Sequence, residues 1–178
     1  PSLPVKVVAV VMCLGFTALN SIGVRQSAML NNMLVVVKLA VLGFFVAFGF
    51  FFVKYTNFLP FQPLSAGVLF GAYYIFFAYG GFARATVIAE EVKDARKNVP
   101  RAVILSLAIS TAVYILVGVV AVGLVGASSL APSNTSSPLA YAIGATGSSW
   151  AMQVVALGGL VATASVLLTG ILGVSRMA

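Results

Sequence analysis

The chain has 178 residues, of which 61% are hydrophobic and only 7% charged, with a formal charge of +7. A soluble globular domain carries roughly 25% charged residues, and a transmembrane β-barrel alternates apolar and polar positions, which these continuous apolar runs do not. The composition is that of an all-α polytopic membrane protein. Its basic residues stand singly between apolar runs, not in a stripe with interleaved aromatics, so the partner they indicate is the lipid bilayer and not nucleic acid.

A helix needs about 20 apolar residues to cross the hydrocarbon core, and five such spans are predicted. The first, residues 5–22, has no acid or base beyond Lys6 and contains the lone cysteine, Cys13, which has no partner for an internal disulfide. The second, residues 32–53, carries one charge, Lys38. Lys38 lies about six residues into its span, roughly 9 Å along the axis. A charge at that depth points to function, because burial favours the neutral amine and suits a proton carrier. The alternative is snorkelling of the long stem to the cytoplasmic surface.

The third span, residues 65–89, is interrupted by Gly80-Gly81 and is rich in aromatics from Tyr73 to Phe82. Adjacent glycines let a helix unwind, and unwound backbone in a membrane is tolerated where it is buried or lines a cavity. Freed amides and carbonyls at such a break suit the carboxylate and amine of a zwitterion. Close helix packing is the competing use of small residues. Arg84, near the end of this span, is read as snorkelling or as pairing with Glu91.

The block Glu90 to Arg101 holds all three acids of the chain, Glu90, Glu91 and Asp94. Its simplest reading is a solvated positive loop, with Glu90 and Glu91 pairing Arg25 or Arg96 in a cytoplasmic gate as the alternative; Arg101 closes the block. Pro100 is expected in the first turn of the fourth span, residues 102–126, where a missing N–H costs little. Residues 127–147 have a loop composition, with a short interfacial helix expected over 139–145. The sequence Asn134-Thr135-Ser136 fits a glycosylation acceptor, by chance in so Ser/Thr-rich a loop. The fifth span, residues 149–174, contains Thr163, Ser165 and Thr169, whose hydroxyls either bond back to the preceding turn or face Lys38 or an ion.

Arg25, Lys93, Arg96, Lys97, Arg101 and Arg176 on one side outnumber Lys6 and Lys54 on the other. The loops after spans one and three are therefore cytoplasmic, in a multi-pass protein of the cell membrane. An external start at Pro1 without a signal peptide reads as an internal piece of a longer protein. There is no histidine and no ligand cluster, so neither metal nor cofactor is expected. Glu90 and Glu91 diverge on a helix, and with no nucleophile–base pair the chain is not an enzyme.

The stretch AYGGFARATVIAEEVKDARKNVPRAV resembles the sixth span and following loop of the amino acid–polyamine–organocation transporters. Glu90-Glu91-Val92-Lys93 and Asn98-Val99-Pro100-Arg101-Ala102 match closely; Asp94-Ala95 replaces the usual Asn-Pro, and Ala83 stands where many members have Asp. Residues 19–25 resemble the end of the fourth span, 32–49 the fifth, and 173–176 the end of the eighth. The resemblance implies that residues 1–178 are a partial transporter domain, spans four to eight of a leucine-transporter-type inverted-repeat fold. It implies a substrate pocket at Phe77, Ala78, Tyr79, Gly80 and Gly81, with the other half on a first span outside this chain. Lys38 matches a fifth-span lysine thought to carry the coupled proton in sodium-independent members, with Thr163 or Ser165 as its partners. The implied activity is proton-coupled secondary transport of an amino acid by alternating access. Proton-independent exchange of amino acids or polyamines, and a non-transporting scaffold or receptor, are the alternatives.

Overall fold

A computed structural model describes residues 3–22, 24–59, 66–82, 94–130 and 137–175. The described residues form helices and connecting turns, without strands. Helix α1 covers Leu3–Ile22 and α2 covers Val24–Phe50. A 3₁₀ turn, Tyr55–Phe58, follows. Helix α3 covers Ala66–Ala78 and passes into a 3₁₀ turn at Tyr79–Phe82. Helix α4 covers Ala95–Val125, the short α5 covers Pro138–Gly144, and α6 covers Ser149–Ser175. Within these, Met29–Phe50, Ala95–Val125 and Ser149–Ile171 are long and apolar enough to cross a membrane.

Helices α2 and α4 begin before the apolar stretches that predict them. Helix α2 begins eight residues before the expected span and ends three residues before its limit, because Phe52 N–H to the Gly49 carbonyl (2.9 Å) and Val53 N–H to the Phe50 carbonyl (3.4 Å) tighten the chain into a turn. Helix α4 begins at Ala95, so Pro100 lies inside it and not in its first turn. The proline ring deprives the Arg96 carbonyl of its helical donor, at an exposed end of the helix where water can replace it. Asp94 precedes the helix in the left-handed region, at φ 51 and ψ 48, which Asp adopts more readily than most residues. Its carbonyl accepts the N–H groups of Lys97 and Asn98 at 2.9 and 3.0 Å.

The core sits where the second half of α2 meets the last turns of α4, α5 and the start of α6. Phe45, Val120 and Ile143 are fully buried there. The short helix expected over 139–145 is α5, which enters this core as a wedge with Ala142 and Ile143 at 0% exposure. Phe44 and Phe48 stack at 5.5 Å, and each lies 5.4 Å from the Trp150 ring, joining α2 to the start of α6. At the same end the Gly123 carbonyl, among the last of α4, accepts the Lys54 N–H (2.9 Å) and the Asn57 amide (2.8 Å). Helix ends leave such carbonyls without intrahelical donors, and this loop supplies two.

Helices α2 and α6 make the most extensive contact, and a glycine sets their separation. A Cβ on Gly158 would stand 2.9 Å from Val41 Cβ and nearer still to one of its methyls. The obstacle is the branch point of a stiff side chain, so relief requires the helices to part. Gly158→Ala in the full-length protein is expected to cost about 1–3 kcal/mol of stability, read as a lower unfolding temperature in detergent. Gly159→Ala is the control, since nothing lies within 4 Å of a Cβ there; equal losses in the two variants would contradict this account.

Candidate functional site

Two regions gather the residues singled out in the sequence. The first is the interruption after α3. The α-helix stops at Ala78, and Tyr79, Gly80, Gly81 and Phe82 form a 3₁₀ turn. The glycine pair thus changes the winding of the helix by tightening it. A change from i→i+4 to i→i+3 pairing leaves a carbonyl without a helical donor at the junction. Phe77 is 72% exposed, and the space around a Cβ at Gly80 is open to at least 4 Å. The aromatics preceding the turn are neighbours of one another, with Tyr73 5.8 Å from Tyr74 and 6.0 Å from Phe77.

Tyr79 reaches away from these aromatics to α4. Its hydroxyl lies 2.6 Å from Thr111 Oγ1, and its ring meets Tyr114 edge-on at 5.4 Å. These α4 partners went unnoticed in the sequence. Thr111 is a hydroxyl in mid-span, the kind of residue that marks helix–helix bonds in membranes, but 32 residues separate it from Tyr79.

The second region surrounds Lys38. It is half-buried on α2 and lines a cavity of about 420 Å³ between α2, the start of α5 and α6. Val41, Phe45, Leu139, Gly159 and Thr163 share that cavity. Lys38 and Thr163, both named from the sequence, therefore line one space. Thr163 Oγ1 donates to the Gly159 carbonyl at 2.9 Å. Its single proton is committed, so toward the cavity the hydroxyl is an acceptor, the polarity a cation needs.

Ser165 is placed differently. It is 2% exposed and donates to Asn31 Oδ1 at 2.8 Å, tying the first half of α2 to α6. Its own carbonyl accepts the Thr169 hydroxyl at 2.9 Å. Asn31 is a further residue that sequence reasoning missed; an amide beside an apolar span was the available signal. Asn31, Lys38 and Phe45 recur at seven-residue intervals and so share one face of α2.

Arg96 and Arg101 are exposed in the first two turns of α4. Glu90, Glu91 and Arg84 lie outside the described residues, as does the acceptor sequence 134–136. Among the described residues, no group of three or more His, Cys, Asp or Glu residues is placed to hold a metal ion.

A family model described as amino acid permease matches residues 2–178. A methylthioribose transporter of Bacillus subtilis is 34% identical over 161 residues, 90% of this chain and 34% of that protein. A branched-chain amino acid permease of the same organism is 29% identical over 170 residues, 95% of this chain and 36% of that protein. Cationic amino acid transporter 5 of Arabidopsis thaliana is 31% identical over 170 residues, 95% of this chain and 29% of that protein. The chain spans about a third of the length of the curated relatives it matches.

Proposed function

The chain belongs to the amino acid permease family, and on that premise we propose that it supplies five spans of a secondary transporter that moves an amino acid across the cell membrane by alternating access, coupled to a proton. The observation that carries the coupling is the cavity shared by Lys38 and Thr163. An ammonium in an apolar span is costly and is eased either by acceptors or by losing its proton. Thr163 offers an acceptor, and deprotonation removes the charge altogether. A cavity wall that opens alternately to the two aqueous sides would let this amine take up a proton on one side and release it on the other.

The substrate belongs at the interruption after α3. Where the turn unwinds, backbone N–H groups and carbonyls at Tyr79–Gly81 receive its carboxylate and ammonium, as irregular backbone does where it lines a membrane cavity. The open space at Gly80 supports this reading, and the resemblance assigns the opposite wall to a first span. The remaining two spans of the proposed five are α1 and the broken α3 segment. Arg96 and Arg101 at the start of α4, with Glu90 and Glu91, form the proposed cytoplasmic gate. The 34% identity to a transporter named for methylthioribose favours a second reading of the cargo. That solute lacks the zwitterion, so its recognition would rest on the hydroxyls and aromatics of the pocket.

Uptake of labelled leucine, lysine and methylthioribose by the full-length protein in liposomes separates these readings. An inward-acid pH gradient is expected to drive uptake of one amino acid, with weak competition from methylthioribose. Lys38→Ala is expected to abolish gradient-driven accumulation while leaving counterflow; full gradient-driven uptake in that variant would end the coupling role. Gly80→Leu enters open space in this structure, so the helix tolerates it, and the pocket reading predicts a KM raised about tenfold or more. An unchanged KM would remove the interruption from the pocket.

A further inference from the structure

The Tyr79 side chain is not needed as a ligand on the reading above, which uses its backbone, and its hydroxyl already has a partner. Thr111 Oγ1 donates its one proton to the Leu107 carbonyl at 2.7 Å. It can therefore only accept from Tyr79 across the 2.6 Å contact. The result is a directed chain from the Tyr79 O–H to the Thr111 O–H to the Leu107 carbonyl. The edge-on packing of Tyr79 on Tyr114, three residues beyond Thr111 on the same helix, fixes the ring as well as its tip.

Among the described residues, little else holds the turn. Helix α3 packs chiefly against its own 3₁₀ continuation, and Phe70, Tyr74, Phe76 and Phe77 are each at least two-thirds exposed. Thr111 stands near the middle of the 31-residue α4, well inside its apolar stretch, and a phenol hydroxyl without a partner in an apolar span is costly. We infer that Tyr79 is a positioning residue: its hydroxyl pins the first residue of the 3₁₀ turn to Thr111 of α4 and so fixes the Tyr79–Gly81 backbone for substrate. The inference rests on the reading of that backbone as the pocket.

A double-substitution cycle in the full-length transporter tests it, with the solute of the uptake panel as probe. Tyr79→Phe keeps the ring and its packing, and Thr111→Val keeps the shape of the α4 side chain. Each is expected to raise KM about three- to fifteenfold, the range of measured interhelical hydrogen bonds in membranes, with the maximal rate little changed. The double variant is expected to match the single ones, and Thr111→Ser to keep the wild-type KM. A wild-type KM in Tyr79→Phe, or single effects that multiply in the double variant, would overturn the role. If Gly80→Leu raises KM while Tyr79→Phe does not, only the strut is lost. If Gly80→Leu leaves KM unchanged, the pocket reading goes and the strut's role goes with it.

Discussion

The close approach of α2 and α6 at Gly158 is the constraint on which the Lys38 region depends. Lipid tails are as apolar as the helix faces, so helices in a bilayer associate through packing and hydrogen bonds where small residues let backbones meet. Gly158 against Val41 is such a meeting. On one side of it along α2, Asn31 receives the Ser165 hydroxyl. On the other, Phe44 and Phe48 enclose the Trp150 ring. The helices are tied on both sides of this approach, the cavity beside Lys38 lies between them and the start of α5, and Gly159 and Thr163 reach it because they follow Gly158 on α6.

A second regularity governs the hydroxyls. Thr17, Ser106, Thr111, Thr163 and Thr169 each donate to a carbonyl three or four residues back. A hydroxyl has one proton, so one bonded in this way presents only lone pairs to anything beyond its own helix. Thr163 therefore offers an acceptor to the cavity, and Thr111 an acceptor to Tyr79. Ser165 is the exception: its proton goes to another helix. This separates it from Thr163, although the two residues look equivalent in sequence as partners for Lys38.

The sequence made some of this legible and hid the rest for physical reasons. Helices α1 and α6 begin and end within two residues of the apolar runs 5–22 and 149–174. Apolar length misplaced the start of α4, since a helix forms wherever its backbone can pair, including a solvated segment with Arg96, Lys97 and Pro100. Gly80-Gly81 announced the interruption but not its 3₁₀ form, which depends on what holds Tyr79. The bonds from Tyr79 to Thr111 and from Ser165 to Asn31 join residues 32 and 134 positions apart. No local pattern encodes such a pairing. The ordered motif around Glu90 to Ala102 did carry the family, and the permease model matches residues 2–178.

The two regions differ in how firmly they are held, and the difference bears on the proposed mechanism. Lys38 belongs to a helix packed on α1, α4 and α6, with Phe45 two turns on at 0% exposure. The 3₁₀ turn belongs to a segment whose preceding aromatics are largely exposed and whose described tie is one tyrosine. Alternating access needs one wall that stays and one that moves. On the proposed reading, α2 and α6 form the wall that stays and carry Lys38. On the same reading the interruption after α3 is the part that moves, and the Tyr79–Thr111 hydrogen bond is its tie to α4. A single hydrogen bond suits that role, being strong enough to define one geometry and weak enough to break within a transport cycle.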